Sequence, residues 1–136
     1  MKTRKSQTKS TLIALLFFLL FCSIAQNAGT ESTKIAVAAI GQEKDAAISL
    51  ETGRAPFFLI FDGKANFLEA IDNPAKYQNR GLRKIVSSLF AQEGITIIIA
   101  GNIGSKMEQA LKEQHIQYIQ KTGVAANAVQ AFIQNR

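Results

Sequence analysis

The sequence predicts an α/β fold, a three-layer α/β/α domain built on a mixed sheet of about five strands. Three observations predict it. The apolar, aromatic-rich run Phe57–Phe61 ends in Asp62-Gly63, a hairpin dipeptide, and a second extended stretch follows. From Gly81 onward, segments with apolar residues at helical spacing alternate with short apolar runs. Among those runs Ile95–Ala100 is the most β-prone of the chain, which marks a central parallel strand. The chain has 136 residues, 47% of them hydrophobic, enough for one domain and too few for two ordinary ones.

Each element has its own signal. Lys34–Ile40 is a short apolar run bounded by charge and by Gly41, as a buried strand requires. Gly41–Asp45 is a polar turn, and Ala46–Leu50 leads into the loop Glu51-Thr52-Gly53-Arg54. In that loop Gly53 is expected to supply backbone angles closed to other residues, and Pro56 biases Ala55 toward extended geometry. Phe57–Phe61 is the second strand and Ala65–Asp72 its antiparallel partner, stopped by Asn73-Pro74. After a polar loop at Ala75–Arg80, Leu82, Ile85, Val86, Leu89 and Phe90 form one face of a helix over Gly81–Gln92, with Gly94 as its C-cap glycine. Gly101–Ser105 turns into a helix at Lys106–Gln114 with Met107, Ala110 and Leu111 inward. Ile116–Ile119 is a short strand, and Ala125–Ile133 a last helix burying Ala125, Val129, Phe132 and Ile133.

The formal charge of +6 is unevenly placed. Lys2, Arg4, Lys5 and Lys9 lie before residue 12, whereas from Gln26 onward 12 Lys/Arg face 10 Asp/Glu, a net of +2. A near-balanced domain argues against a nucleic-acid partner. The basic start, the apolar Leu12–Ala25 and the polar Gln26–Thr30 have the order of a secretory signal peptide. Its apolar run of 14 to 16 residues is short of the ~20 that span a bilayer as a helix. Ser23 and Ala25 place small residues at −3 and −1, so residues 1–25 read as a signal peptide, 26–33 as a flexible lead-in and 34–136 as the domain. The expected location is extracytoplasmic, periplasmic or secreted; the alternative is an uncleaved N-terminal membrane anchor. Cys22 is the sole cysteine, so cleavage after Ala25 leaves a mature chain without disulfides, thiol nucleophiles or cysteine-ligated iron–sulfur clusters.

Taken together, Lys34-Ile-Ala-Val, Gly53-Arg-Ala-Pro-Phe-Phe-Leu-Ile, Asp72-Asn-Pro, Ile97-Ile-Ile-Ala-Gly-Asn-Ile-Gly104 and Ile116-Gln-Tyr-Ile resemble the dinitrogenase iron–molybdenum cofactor family of nitrogenase accessory and cofactor-biosynthesis proteins. The resemblance covers nearly all of Lys34–Ile133. It implies a ribonuclease H-like α/β arrangement and a non-catalytic role in binding or carrying iron–molybdenum cofactor or its iron–sulfur precursors. Where the family commonly has His-Phe before the Gly of G-R-A, with the His as favoured cofactor ligand, this chain has Glu51 and Thr52. Imidazole suits iron, whereas carboxylate prefers harder ions. Where the family has a glycine-rich loop before the first helix, this chain has Tyr77-Gln-Asn-Arg-Gly81, and Ser105-Lys106-Met107 matches the family only in part. Export is unexpected for a family tied to cytoplasmic cofactor assembly.

The candidate cofactor-binding residues are Glu51, Gly53, Arg54, Gly101, Asn102 and Gly104. Glu51 and Arg54 offer opposite charges to a small ligand; alternatively they pair with each other or stay solvated. Gly101–Ser105 joins a strand end to a helix start, where free N–H groups attract anions; alternatively it is a glycine turn with a Ser cap. His115, the only histidine, falls at a helix terminus, where it suits the dipole better than it suits a metal. Asn79–Lys84 is locally basic, a solvated loop or a place for an anionic partner. No metal-ligating cluster is expected. The first strand lacks the carboxylate of a ribonuclease H-type nuclease, and no G-x-S-x-G, H-E-x-x-H or Walker loop occurs, so no catalytic role is expected. Two readings remain: an exported domain that binds a metal cofactor or small anion, and an interaction module for a protein partner that keeps the fold and has lost the cofactor.

Overall fold

The computed structural model describes residues 32–136. The expected signal peptide, its cleavage site and most of the lead-in lie outside the described residues. Five strands and three helices follow one another: β1 (Lys34–Ala39), β2 (Phe57–Asp62), β3 (Phe67–Asp72), α1 (Leu82–Glu93), β4 (Ile97–Ala100), α2 (Ser105–Glu113), β5 (Gln117–Gln120) and α3 (Ala125–Gln134). The sheet order is β3-β2-β1-β4-β5. β2 runs antiparallel to both β1 and β3, while β4 lies parallel to both β1 and β5. This is the mixed α/β arrangement expected from the sequence.

Alternation along the strands divides the core into two layers. Ala36 and Ala38 of β1, Phe58 and Ile60 of β2, and Ile98 and Ala100 of β4 pack against α1 and α2. Their neighbours Ile35, Val37, Leu59, Phe61, Ile97 and Ile99 pack against α3. The two small alanines of β1 leave room for Phe58, which meets Phe90 of α1 edge to face at 4.8 Å between ring centroids. Full burial of each such side chain is worth roughly 1.5–3 kcal/mol, so α1 is held mainly by its Val86–Phe90 face.

Both helix ends on the α1/α2 side are closed by a left-handed residue. After α1, Gly94 takes φ 68° and the Ile95 N–H reaches back to the Phe90 carbonyl. After α2, His115 takes φ 57°, with its own N–H on Lys112 and the Ile116 N–H on Leu111. These are paired Schellman closures. His115 therefore serves as an αL residue at an exposed helix end, a conformation that His adopts more readily than a β-branched residue does.

Three expectations need correction. The hairpin is longer than a two-residue turn: Ala65 has φ 66°, and the Asp62 carboxylate accepts the N–H groups of Lys64 and Asn66, so the partner strand begins at Phe67. Ala65 is thus a turn residue. Gly53 does not use a left-handed conformation; among the described residues the glycines with positive φ are Gly81, Gly94 and Gly123. The N-cap of α2 is Gly104 in extended geometry, and Ser105 is the first helical residue rather than a capping side chain.

Candidate functional site

The loop between β1 and β2 crosses the C-terminal ends of the parallel strands and is fastened there at several points. The Gly101 N–H donates to the Ser49 carbonyl, and Glu51 bridges Asn102 in parallel fashion. The buried Thr52 hydroxyl donates to the Asn102 carbonyl at 3.0 Å. Ser49 ties the turn to itself: its hydroxyl donates to the Glu51 carbonyl and accepts the Glu51 N–H. The two candidate loops, Glu51–Arg54 and Gly101–Gly104, therefore converge.

Asn73 fixes the other side of the loop. Its side chain, 1% exposed, donates to the carbonyls of Gly53 at 3.0 Å and Ala55 at 2.8 Å and accepts the Ala75 N–H. In the sequence Asn73-Pro74 reads only as a strand stop. No local signal shows that its amide reaches back twenty residues.

Gly101 is needed for a steric reason. A Cβ there would lie 2.9 Å from both Leu50 Cα and the Ser49 carbonyl oxygen, backbone atoms that cannot rotate away. Gly104 faces open space. Gly53 lies beneath Met107 and Leu82 at ordinary contact distances.

Glu51, Gly53 and Arg54 open onto a groove of about 920 Å³ between α1 and α2. Its walls carry Arg54, Arg80, Arg83, Lys84 and Lys106 against two carboxylates, Glu51 and Glu113. Gly101, Asn102 and Gly104 do not line it. Gly101 and Asn102 brace the loop from behind, and Gly104 starts α2. The basic stretch Asn79–Lys84 is therefore one wall of a groove, not an isolated solvated loop.

The ion pairs within 4.0 Å among the described residues are Arg54–Glu51, Lys76–Asp72 and Lys112–Glu108. Arg80, Arg83, Lys84 and Lys106 thus have no carboxylate in reach among the described residues. The Arg54–Glu51 pair is itself loose, at 4.0 Å between half-exposed side chains, and is worth little in water. α1 is preceded by Gly81 as its N-cap at φ 75°, without a capping side chain and without an acid in its first turn. The positive end of its dipole and the flanking cations therefore reinforce one another.

A comparison with known protein families matches residues 33–135 to the model described as dinitrogenase iron-molybdenum cofactor. The chain belongs to this family. Among solved structures it is similar to the apo form of the orange protein from Desulfovibrio gigas, at 28% identity and a TM-score of 0.70, over 76% of this chain and 88% of that one. It is also similar to a putative NifB protein from Thermotoga, at 23% identity and a TM-score of 0.64, over 76% of this chain and 90% of that one. At that identity the second likeness attests the fold alone. A comparison with curated proteins gave no significant match.

Membership makes ligation by side chains the first thing to test on this geometry. No group of three or more His, Cys, Asp or Glu residues that could hold a metal occurs among the described residues. Residue 51, at the head of the groove, is an exposed carboxylate, and His115 lies beyond the end of α2, outside the groove lining. The donor set does not fit direct coordination of iron or molybdenum. It fits an anion, received by guanidinium and ammonium groups and by the start of α1.

Proposed function

We propose that the protein is a non-catalytic binder or carrier of an anionic metal–sulfur cofactor, iron–molybdenum cofactor or an iron–sulfur precursor, held by charge and hydrogen bonding instead of side-chain ligation. The observation that carries this reading is the Glu51–Arg54 loop, clamped by Asn73 and Asn102 and opening onto a groove with four cations that lack a carboxylate partner among the described residues. The family description names a cofactor and not a reaction, which supports a role without catalysis. Titrating the purified protein with an iron–molybdenum cofactor precursor, followed by gel filtration and metal analysis, should show retained metal that is lost at high salt and in Arg54→Glu. No spectral change and no retained metal would sink the carrier reading.

The second reading is an interaction module that keeps the fold without the cofactor. The Glu in the family's His position and the lack of thiolate or imidazole along the groove favour it. For either reading we place the mature protein outside the cytoplasm, by the order of basic, apolar and small residues in 1–25. Mass spectrometry of the protein from its host should find a mature start near Gln26. An intact Met1 on a cytoplasmic protein would refute export.

A further inference from the structure

The groove continues well past the Glu51–Arg54 loop, down α2 through Met107 and Ala110 to Glu113 and Gln114. Nine residues of helix make that path roughly 13 Å long. A small inorganic anion would use only its upper end. The floor is apolar, supplied by Leu82, Met107 and Ala110, and an ion has no use for such a floor. No aromatic ring lines the groove, so nothing is offered for bases to stack on. A bilayer surface is flat and does not enter a cleft between two helices.

The charge pattern points the same way. Arg80, Arg83 and Lys84 are three and four residues apart at the positive end of α1, and no acid lies between Asp72 and Glu93. Cations in the first turn and just before it oppose the helix dipole and disfavour the helix in isolation. They favour a negatively charged occupant.

We propose that this groove docks an acidic amphipathic segment of a partner protein. Its apolar side chains would rest on Leu82, Met107 and Ala110, and its carboxylates would meet the flanking arginines and lysines. The proposal rests on the interaction reading and needs no metal.

The test is an NMR and fluorescence titration of the purified protein with a small panel of labelled peptides bearing Glu on one face and Leu on the other. The Leu spacing varies across the panel, and an all-Glu peptide of the same charge is run beside it. At least one amphipathic peptide should bind about tenfold more tightly than all-Glu, since charge alone steers without fixing the complex. Shifts should concentrate at Leu82, Ser87, Met107 and Ala110. Reversing Arg83 and Lys84 to Glu, or Lys106→Glu alone on the opposite helix, should weaken binding about tenfold without lowering the melting temperature; acids in the first turn of α1 should if anything raise it. Equal affinity for all-Glu overturns the proposal, as does failure of the whole panel. Tight binding with shifts mapping elsewhere, such as the exposed edge of β3, also overturns it while leaving the interaction reading standing.

Discussion

Replacing Gly101 by Ala adds one methyl group at the point where the β1–β2 loop rests on the end of β4. The new Cβ would sit 2.9 Å from Leu50 Cα and 2.9 Å from the Ser49 carbonyl oxygen. Carbon atoms prefer about 3.5–4.0 Å, so the loop and strand must part by roughly 0.6–1 Å. Both neighbours are backbone, so no rotamer relieves the contact. Overpacking of this kind costs about 1–3 kcal/mol. Parting also strains the Gly101–Ser49 hydrogen bond, now 2.9 Å, worth a further ~1 kcal/mol. The expected total is about 2–4 kcal/mol, a fall in melting temperature of roughly 8–16 °C for a domain of this size. Thermal and urea unfolding measure it, and faster amide exchange at Ser49–Thr52 should localise it. Gly104→Ala is the control, because nothing lies within 4 Å of its Cβ and its φ of −67° suits Ala. As an N-cap change it should cost no more than about 1 kcal/mol, well short of the Gly101 variant. If Gly101→Ala is equally mild, the loop is not pressed against β4 and the account of the site's scaffold fails.

Asn73→Ala should destabilise by about 2–4 kcal/mol, because it strips hydrogen bonds from the Gly53 and Ala55 carbonyls and the Ala75 N–H. Asn73→Asp should do as much damage by urea unfolding despite its size, since a carboxylate cannot donate to the two carbonyls. A benign Asp variant would show that the clamp is not made by donation. On the far side of α2, the Tyr118 hydroxyl donates to Glu108, which also pairs with Lys112. The Tyr118 hydrogen bond, then Lys112, holds the Glu108 carboxyl below its ordinary value, and the same bond to Glu108 raises Tyr118. Glu108's contribution is present above the usual carboxylate value and fades as pH falls through its lowered one; Tyr118's is complete below about 10 and fades as pH rises through its raised value. Urea midpoints against pH should therefore droop at both ends, and Tyr118→Phe should flatten both limbs. Glu51→His should raise retention of an iron–molybdenum cofactor precursor; Glu51→Gln, which removes the charge without adding imidazole, separates ligation from electrostatics by the same metal analysis.

Much of the fold was legible because each strand carries its own burial pattern. β1 is apolar on both faces, which marked Lys34–Ala39 as an interior strand, although the expected last residue, Ile40, lies beyond it and is exposed; Gly94 announced the end of α1. Local patterns gave out where a residue acts over distance. Asn73 reaches Gly53 from the far end of a hairpin, and Gly101 is required by the backbone of Leu50, which no spacing rule reveals. Gly53 does not take the positive φ that a glycine there could supply; the turn is held by hydrogen bonds from Ser49, Thr52 and Asn73. The basic run at Asn79–Lys84 was visible in the chain. Its meaning was not, since Arg54 and Lys106, which complete the groove, come from other elements.

The placement of Glu51 bears on which function the scaffold has kept. Everything that holds this loop uses backbone atoms of residue 51 or side chains other than its own: Ser49, Thr52, Asn73 and the close approach at Gly101. The Glu51 side chain is 68% exposed, and its one ion-pair contact, Arg54 at 4.0 Å, is too loose to fix either group. The fold therefore does not depend on the carboxylate. Its effect is to offset part of the positive charge at the head of the groove, where an anionic cargo would arrive and where an acidic partner segment would end. A carboxylate at that point weakens a small anion that depends on the upper rim more than a long segment anchored along α1 and α2. Relative to the imidazole that the sequence resemblance implies for this position, the carboxylate of Glu51 would shift the balance from cofactor toward partner.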